Sequence, residues 1–185
     1  MSMRGYSTLE LCTVIALLSI LLSFGIPSFQ QALMRQEREL VLERLQMAIE
    51  YARQEALIQG KGMTLCGSSD RQSCEDDQWS AGFIVFEDAD HSTKAKSDQI
   101  LKVFPGTRYG KLYFAQFGQY LHFQTNGMVV NNGSFYYCPP RAKALEIDGL
   151  VISKSGRTYR PTKHPVLGIP LKNPETPFVT PFICR

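Results

Sequence analysis

Three patterns of apolar and polar positions follow one another along this chain. From Leu11 to Met34 no charged residue occurs and apolar side chains dominate. Such a run predicts a helix, and at about 20 residues per span the stretch 6–29 is long enough to cross a bilayer. Thr13, Ser19 and Ser23 do not forbid that reading, because their hydroxyls can bond backbone carbonyls. Gly25 and Pro27 predict a kink near its end. From Gln30 to Gln59 the spacing changes: Leu33, Val41, Leu45, Ala48, Ala52 and Ala56 recur at helical steps, with Glu and Arg on the other faces. This predicts an amphipathic helix over 30–60, closed by the cap signal Gly60-Lys61-Gly62. Its stripe thins to alanine, which suits a helix laid closely on a sheet better than a coiled coil.

After Gly62 the period becomes strand-like. The runs are Met63 to Cys66, Gly82 to Glu87, Ile100 to Phe104, Lys111 to Phe114, Tyr120 to Gln124, Phe135 to Cys138, Gly149 to Ser153 and Arg157 to Tyr159. Asn126-Gly127, Asn131-Asn132-Gly133 and Ser155-Gly156 read as turns joining neighbouring strands into hairpins. The expected architecture is α+β: one long N-terminal helix, transmembrane then amphipathic, packed on a twisted antiparallel sheet within a β-rich domain over 61–160. The tail, 161–185, carries Pro161, Pro165, Pro170, Pro174, Pro177 and Pro181 and is expected to be extended or irregular.

The 185 residues leave room for one ordinary domain beyond the apolar helix. Net charge is only +3 but polarised, with seven acids against Arg71 alone between Asp70 and Asp90, and eight basic residues against three acids from Arg141 to Arg185. Of the five cysteines, Cys12 lies in the apolar run and reads as a small apolar residue. Outside the reducing compartment the other four imply two disulfides, with three connectivities open. The short spacing favours Cys66 with Cys74, leaving Cys138 with Cys184 to tether the tail. Zinc is disfavoured because no C-x2-C pair is present.

A carboxylate at the lip of an apolar helix is costly and needs a partner. The stretch Arg4-Gly5-Tyr6-Ser7-Thr8-Leu9-Glu10 supplies that carboxylate as Glu10, and it resembles the class III signal of type IV prepilins and type II secretion pseudopilins. A Sec signal or plain signal anchor is disfavoured, since Ile26-Pro27-Ser28-Phe29-Gln30 offers no small-x-small site. The resemblance implies a leader over 1–5, cleavage between Gly5 and Tyr6 by a prepilin peptidase, N-methylation of Tyr6, and pairing of Glu10 with a neighbouring subunit's terminal amine during assembly. Phe is usual where Tyr6 stands. Further along, Ala52-Arg53-Gln54-Glu55-Ala56, Thr64-Leu65-Cys66-Gly67-Ser68-Ser69-Asp70, Cys74, Trp79, Gly82 and Val85-Phe86-Glu87-Asp88 resemble the GspH/FimT group of minor pilins and pseudopilins. Those relatives often stop soon after the Gly156-Arg157 strand, so the long tail is a departure.

Enzymatic chemistry is not expected. His91, His122 and His164 fall in a polar loop, a strand and the tail with no nucleophile motif beside them. The acidic runs Glu75-Asp76-Asp77 and Glu87-Asp88-Ala89-Asp90 lack EF-hand spacing and read as solvated loops. No catalytic set, metal site or cofactor is expected. Lys154, Arg157, Tyr159, Arg160 and Lys163 form a basic cluster with an aromatic, a pattern that can hold phosphates and stack a base. Some members of the resembled group are linked to DNA capture through Gly-Arg-x-Arg; here Gly156-Arg157-Thr158-Tyr159-Arg160 is one residue longer, which on a strand puts the two arginines on opposite faces. The resemblance therefore implies that the α+β fold is pilin-like and that the chain is a minor pilin in a tip complex of a type IV pilus, with a type II secretion pseudopilin or a DNA-binding receptor as alternatives. Its expected partners are other minor pilins and the major pilin, the prepilin peptidase, the inner membrane and, for the third reading, DNA. The expected location is the inner membrane, single-pass with the C-terminal domain periplasmic, and the pilus tip.

Overall fold

In the computed structural model the described residues are 7–96, 98–115, 119–140, 147–161 and Cys184; within the long helix the side chains of 22 and 24–28 are outside the description. Helix α1 runs Thr8–Gln59, unbroken at Gly25 and Pro27. The chain divides into two compact units, Met1–Gln36 and Glu37–Arg185. In the first, Ser7 opens α1 by accepting the Leu11 amide on its carbonyl at 3.1 Å. The hydroxyls of Thr13, Ser19 and Ser23 donate to the carbonyls of Glu10, Ala16 and Ser19 at 2.8, 2.8 and 2.6 Å.

The expected membrane span is corrected here. Among the described residues no helix is long and apolar enough to cross a membrane. The apolar run is diluted by Thr13, Ser19 and Ser23, and bounded by Glu10 on one side and Gln30-Gln31 on the other. The transmembrane assignment of 6–29 falls, and with it the single-pass inner-membrane location.

In the second unit α1 follows its predicted stripe and extends it. Val41, Leu42, Leu45, Ala48, Ile49, Ala52 and Ala56 are all buried. The helix stops at Gly60, whose φ of 63° is left-handed and whose amide bonds the Ala56 carbonyl at 3.1 Å.

Among the described residues the β-rich part forms not one sheet but two, each four-stranded and antiparallel. The first has the order β3-β2-β1-β5, from β1 (Met63–Gly67), β2 (Gly82–Glu87), β3 (Ile100–Pro105) and β5 (Tyr120–Phe123). The second has the order β4-β6-β7-β8, from β4 (Lys111–Ala115), β6 (Gly133–Cys138), β7 (Asp148–Ile152) and β8 (Thr158–Tyr159).

The edge of β5 away from β1 is met by residues 129–131: Val129 bridges Phe123, the Val130 amide bonds the His122 carbonyl at 3.0 Å, and the Asn131 side-chain amide donates to the Tyr120 carbonyl and accepts from the His122 amide at 3.1 Å. The Asn131-Asn132-Gly133 stretch is thus an edge plug between sheets, not a hairpin turn. Ser155-Gly156 does close a hairpin, with the Ser153 amide bonding the Arg157 carbonyl at 3.0 Å between β7 and β8.

Both inner faces and the helix stripe share one core, built from Met63, Leu65, Phe83, Val85, Leu121 and Phe123 on one side and Leu112, Phe114, Phe135, Tyr137, Leu150 and Ile152 on the other. Trp79 sits at its centre on the 3-10 turn Gln78–Ser80. Its ring meets Phe83 of the first sheet at 6.1 Å, and Phe114 and Phe135 of the second at 5.7 and 4.6 Å. At the start of this unit the Glu37 carboxylate accepts the Tyr137 hydroxyl at 2.8 Å, the Tyr109 amide at 3.0 Å and the Arg108 amide. Burial, reinforced by this neighbouring carboxylate, pushes the Tyr137 phenol well above its ordinary value.

Candidate functional site

The first helix turn carries Glu10 among exposed apolar residues. Leu9, Leu11, Val14, Ile15, Leu17, Leu18, Ile20 and Leu21 are all exposed, Leu9 at 73% and Leu21 at 68%. Among the described residues the Glu10 carboxylate has no ion-pair partner, and it sits where the helix macrodipole is positive. Gly5 and Tyr6 lie outside the described residues, as does the cleavage between them.

Two disulfides join Cys66 to Cys74 and Cys138 to Cys184; Cys12 is free and exposed. Inside the smaller ring, Asp70 organises the turn. Its Oδ1 accepts the amides of Gln72 and Ser73 at 2.7 and 2.8 Å, and its Oδ2 accepts the Ser73 hydroxyl at 2.8 Å. These bonds hold the carboxyl far below the usual carboxylate range.

The basic cluster is split by its pairing. Lys154, Arg157 and Tyr159 are exposed on the β7–β8 hairpin. Arg160 is committed elsewhere: it bonds Asp148 at 3.1 Å and Glu39 of α1 at 2.9 Å. Burial opposes ionisation of Glu39, but the hydrogen bonds and charges of Arg38 and Arg160 together hold its carboxyl below the usual value. Lys163 and His164 lie outside the described residues, as does the tail apart from Pro161 and Cys184.

A second polar cluster is not legible in the sequence. Asp88, which there reads as part of a solvated acidic run, is only 4% exposed. Its Oδ2 accepts the Thr64 hydroxyl at 2.7 Å, and Thr64 Oγ1 lies 2.9 Å from His122 Nδ1. Oδ1 accepts the Ser92 amide at 2.8 Å, and Oδ2 the Thr93 amide at 3.1 Å. Burial alone would raise this carboxyl; the bonds from Thr64, Ser92 and Thr93 outweigh it and hold it below the ordinary value. His91 stacks on His122 with ring centroids 4.0 Å apart. The β1 register, which places Thr64 opposite both Phe86 and His122, is the signal that brings the group together. That pairing is a long-range property of the folded sheet.

A helix whose buried stripe packs on antiparallel sheets, preceded by a helical segment with exposed apolar faces, defines a pilin-type structural subunit. The GspH family, described as type II transport protein GspH, matches residues 41–156, more than half of the chain, and the chain belongs to this pilin and pseudopilin family. Its members are structural subunits, and the protein is not an enzyme. Among solved structures it is similar to the type IV minor pilin FimU of Pseudomonas aeruginosa, at 23% identity and a TM-score of 0.54 over 72% of this chain and 96% of that one. A second crystal form of FimU gives 21% identity and a TM-score of 0.51 over 70% and 98%. The minor pseudopilin EpsH of the type 2 secretion system of Vibrio cholerae is 12% identical, with a TM-score of 0.48 over 67% and 95%. No curated protein shows significant sequence similarity to the chain.

Proposed function

We propose that this chain is a minor pilin of a type IV pilus that helps to initiate assembly within a minor-pilin complex at the tip. The observation that carries the proposal is the exposed apolar surface of α1 around Leu9, Leu17 and Leu21, with the single carboxylate of Glu10 in its first turn. A contiguous apolar surface of this kind calls for a partner. Helices of neighbouring pilins supply an apolar face, and a subunit terminal amine supplies the charge that Glu10 lacks. The solved FimU structures, described as type IV minor pilins, support the reading through their shared fold. The family description, a type II transport protein, supports the alternative of a minor pseudopilin in type II secretion.

Recovery from sheared surface filaments tests both readings. The wild-type chain is expected among the pili, and Glu10→Ala should reduce its recovery more than about tenfold, because truncating one partner of a desolvated ion pair costs about 2–5 kcal/mol. Equal recovery of variant and wild type would remove Glu10 from assembly. A wild-type chain absent from pili but required for export of secreted proteins would favour the pseudopilin.

The exposed trio Lys154, Arg157 and Tyr159 favours a further reading, nucleic-acid binding at the β7–β8 hairpin. Binding of short labelled DNA should then fall steeply between about 50 and about 200 mM salt, and the salt slope should drop by roughly one unit for each phosphate that Lys154→Ala or Arg157→Ala leaves unneutralised. Arg160→Ala should act through stability, because its guanidinium is already held by Asp148 and Glu39. Binding unchanged in the Lys154→Ala, Arg157→Ala double variant would eliminate this reading.

A further inference from the structure

The segment 88–96 leaves β2 and lies against the outer face of the first sheet. On that face Cys66, Ile84 and Phe86 form a small buried apolar cluster, with Cys74, Ala95, Ile100 and Tyr120 packed around it. Ala95 and His91 of the segment reach this surface: His91 stacks flat on His122 and meets Tyr120 edge-on at 5.7 Å. His91 and Thr93 hold φ values of 53° and 58°. A β-branched residue in the left-handed region is strained, so the segment is held in place against a local preference to relax. What holds it is the Asp88 carboxylate, which takes the amides of Ser92 and Thr93 and the Ser92 hydroxyl.

Asp88 is in turn anchored through one chain of hydrogen bonds. An ionised carboxylate only accepts, so the Thr64 hydroxyl proton points to Asp88 Oδ2, and Thr64 Oγ1 is left as the acceptor for His122 Nδ1–H. This fixes neutral His122 as the Nδ1–H tautomer, and Nε2 is where a further proton must go. That side of the ring is crowded: a Cβ placed on Gly62 would lie 2.9 Å from His122 Cε1 and 3.1 Å from Nε2. Among the described residues, the titratable or charged groups facing the ring are Asp88 and His91, both from the segment. β1 contributes Thr64 and the residue before it Gly62, Tyr120 of β5 meets the His91 ring, and Asn131 bonds only the His122 backbone. Lys61 and Glu87, flanking Gly62 and Asp88 in sequence, neutralise each other at 2.8 Å.

We infer that residues 88–96 are a proton-released strap, closed over the outer face of the first sheet while His122 is neutral and lifted from it when His122 takes up a proton. A proton on Nε2 places a cation in a buried site against the flat face of His91. The Asp88 carboxylate, 3.8 Å from Nδ1, draws the other way but is already saturated by four donors. Burial, then the neighbouring His91, hold the His122 imidazole below its ordinary value despite Asp88. The closed strap therefore binds a proton less well than the open one. Its closure is complete above the ordinary histidine value, about 6.5, and is lost as the pH falls from there through the lower value of the closed state. The Asp88 carboxyl is itself held below its ordinary value by the Thr64, Ser92 and Thr93 bonds, on the far side of the histidine range. Opening would uncover Ile84, Phe86 and Ile100, whichever assembly the chain joins.

Hydrogen exchange on the full chain tests this, with rates corrected for the intrinsic pH dependence of exchange. Between pH about 7.5 and about 5.5 the opening constant at the Ser92 and Thr93 amides should rise, by no more than about tenfold per pH unit because one proton is bound, while the β6 amides stay constant. His122→Asn keeps an amide donor at the Nδ1 position and cannot titrate, so it should flatten that rise. An equal rise in His122→Asn, or none in the wild type, would overturn the strap. Should the variant fail to fold, nitrogen NMR of the wild-type ring decides: the Nδ1–H tautomer and titration below the ordinary histidine value are expected, and titration at or above that value refutes the inference.

Discussion

Trp79→Ala is expected to lower the unfolding free energy by about 3–5 kcal/mol, the range for emptying a buried aromatic site. The indole is fully buried and bridges the two sheets, with Phe83 on one side and Phe114 and Phe135 on the other. Its surroundings have little means of collapse. A Cβ on Gly67 would lie 2.7 Å from the Trp79 backbone nitrogen, so the turn rests directly on β1 and cannot move inward. Trp79→Phe should be much milder, about 1–2 kcal/mol, because most of the apolar packing survives. The indole Nε1 also lacks a hydrogen-bond partner among the described residues, so its removal leaves no acceptor stranded. Denaturant titration of the full chain reads both values. A cost for alanine below about 1 kcal/mol, with the denaturant slope unchanged, would show that the sheets are not joined through this ring.

The second large effect is expected at Glu37. Hydrogen bonds to a charged group contribute about 1.5–3 kcal/mol each, and this carboxylate receives three donors from two elements. The Arg108 and Tyr109 amides are near solvent and can rehydrate; the Tyr137 hydroxyl is fully buried and cannot. Glu37→Ala should therefore cost about 2–4 kcal/mol, mostly through the phenol left without an acceptor. A double-mutant cycle with Tyr137→Phe isolates that share and should give a coupling of about 1–3 kcal/mol. Additive losses in the two variants would place the cost in the Arg108 and Tyr109 amides instead.

Much of this architecture can be read from period alone. The switch from helical steps to alternation near Gly62 places the end of α1, and the strand runs lie within a residue or two of β1 to β8, because most have glycine, proline or asparagine close to at least one end. The alanine stripe announces close packing; Leu42 and Ile49 complete it, and they lie off the single row of steps by which the stripe is traced. Other features depend on partners far away in sequence. Asp88 and Glu37 look like ordinary solvated acids until Thr64 and Tyr137 are brought to them. The bonds that Asn131 makes to the edge of β5 are likewise revealed by no periodicity. The membrane span is over-read when an uncharged run is equated with an apolar one, because hydroxyl residues are spread through it.

The two disulfides also differ in when they can exist. Cys66 and Cys74 are 8 residues apart, so that ring can close while the rest of the chain is still being synthesised. Cys138 waits for a partner 46 residues downstream. By then all of β1 to β8 has been made, and domains generally fold as units as synthesis proceeds. The later bond thus reports that synthesis has passed Cys184: until then Cys138 stands as an unpaired thiol on a central strand, a chemical mark by which a chain that has not reached its partner differs from one that has.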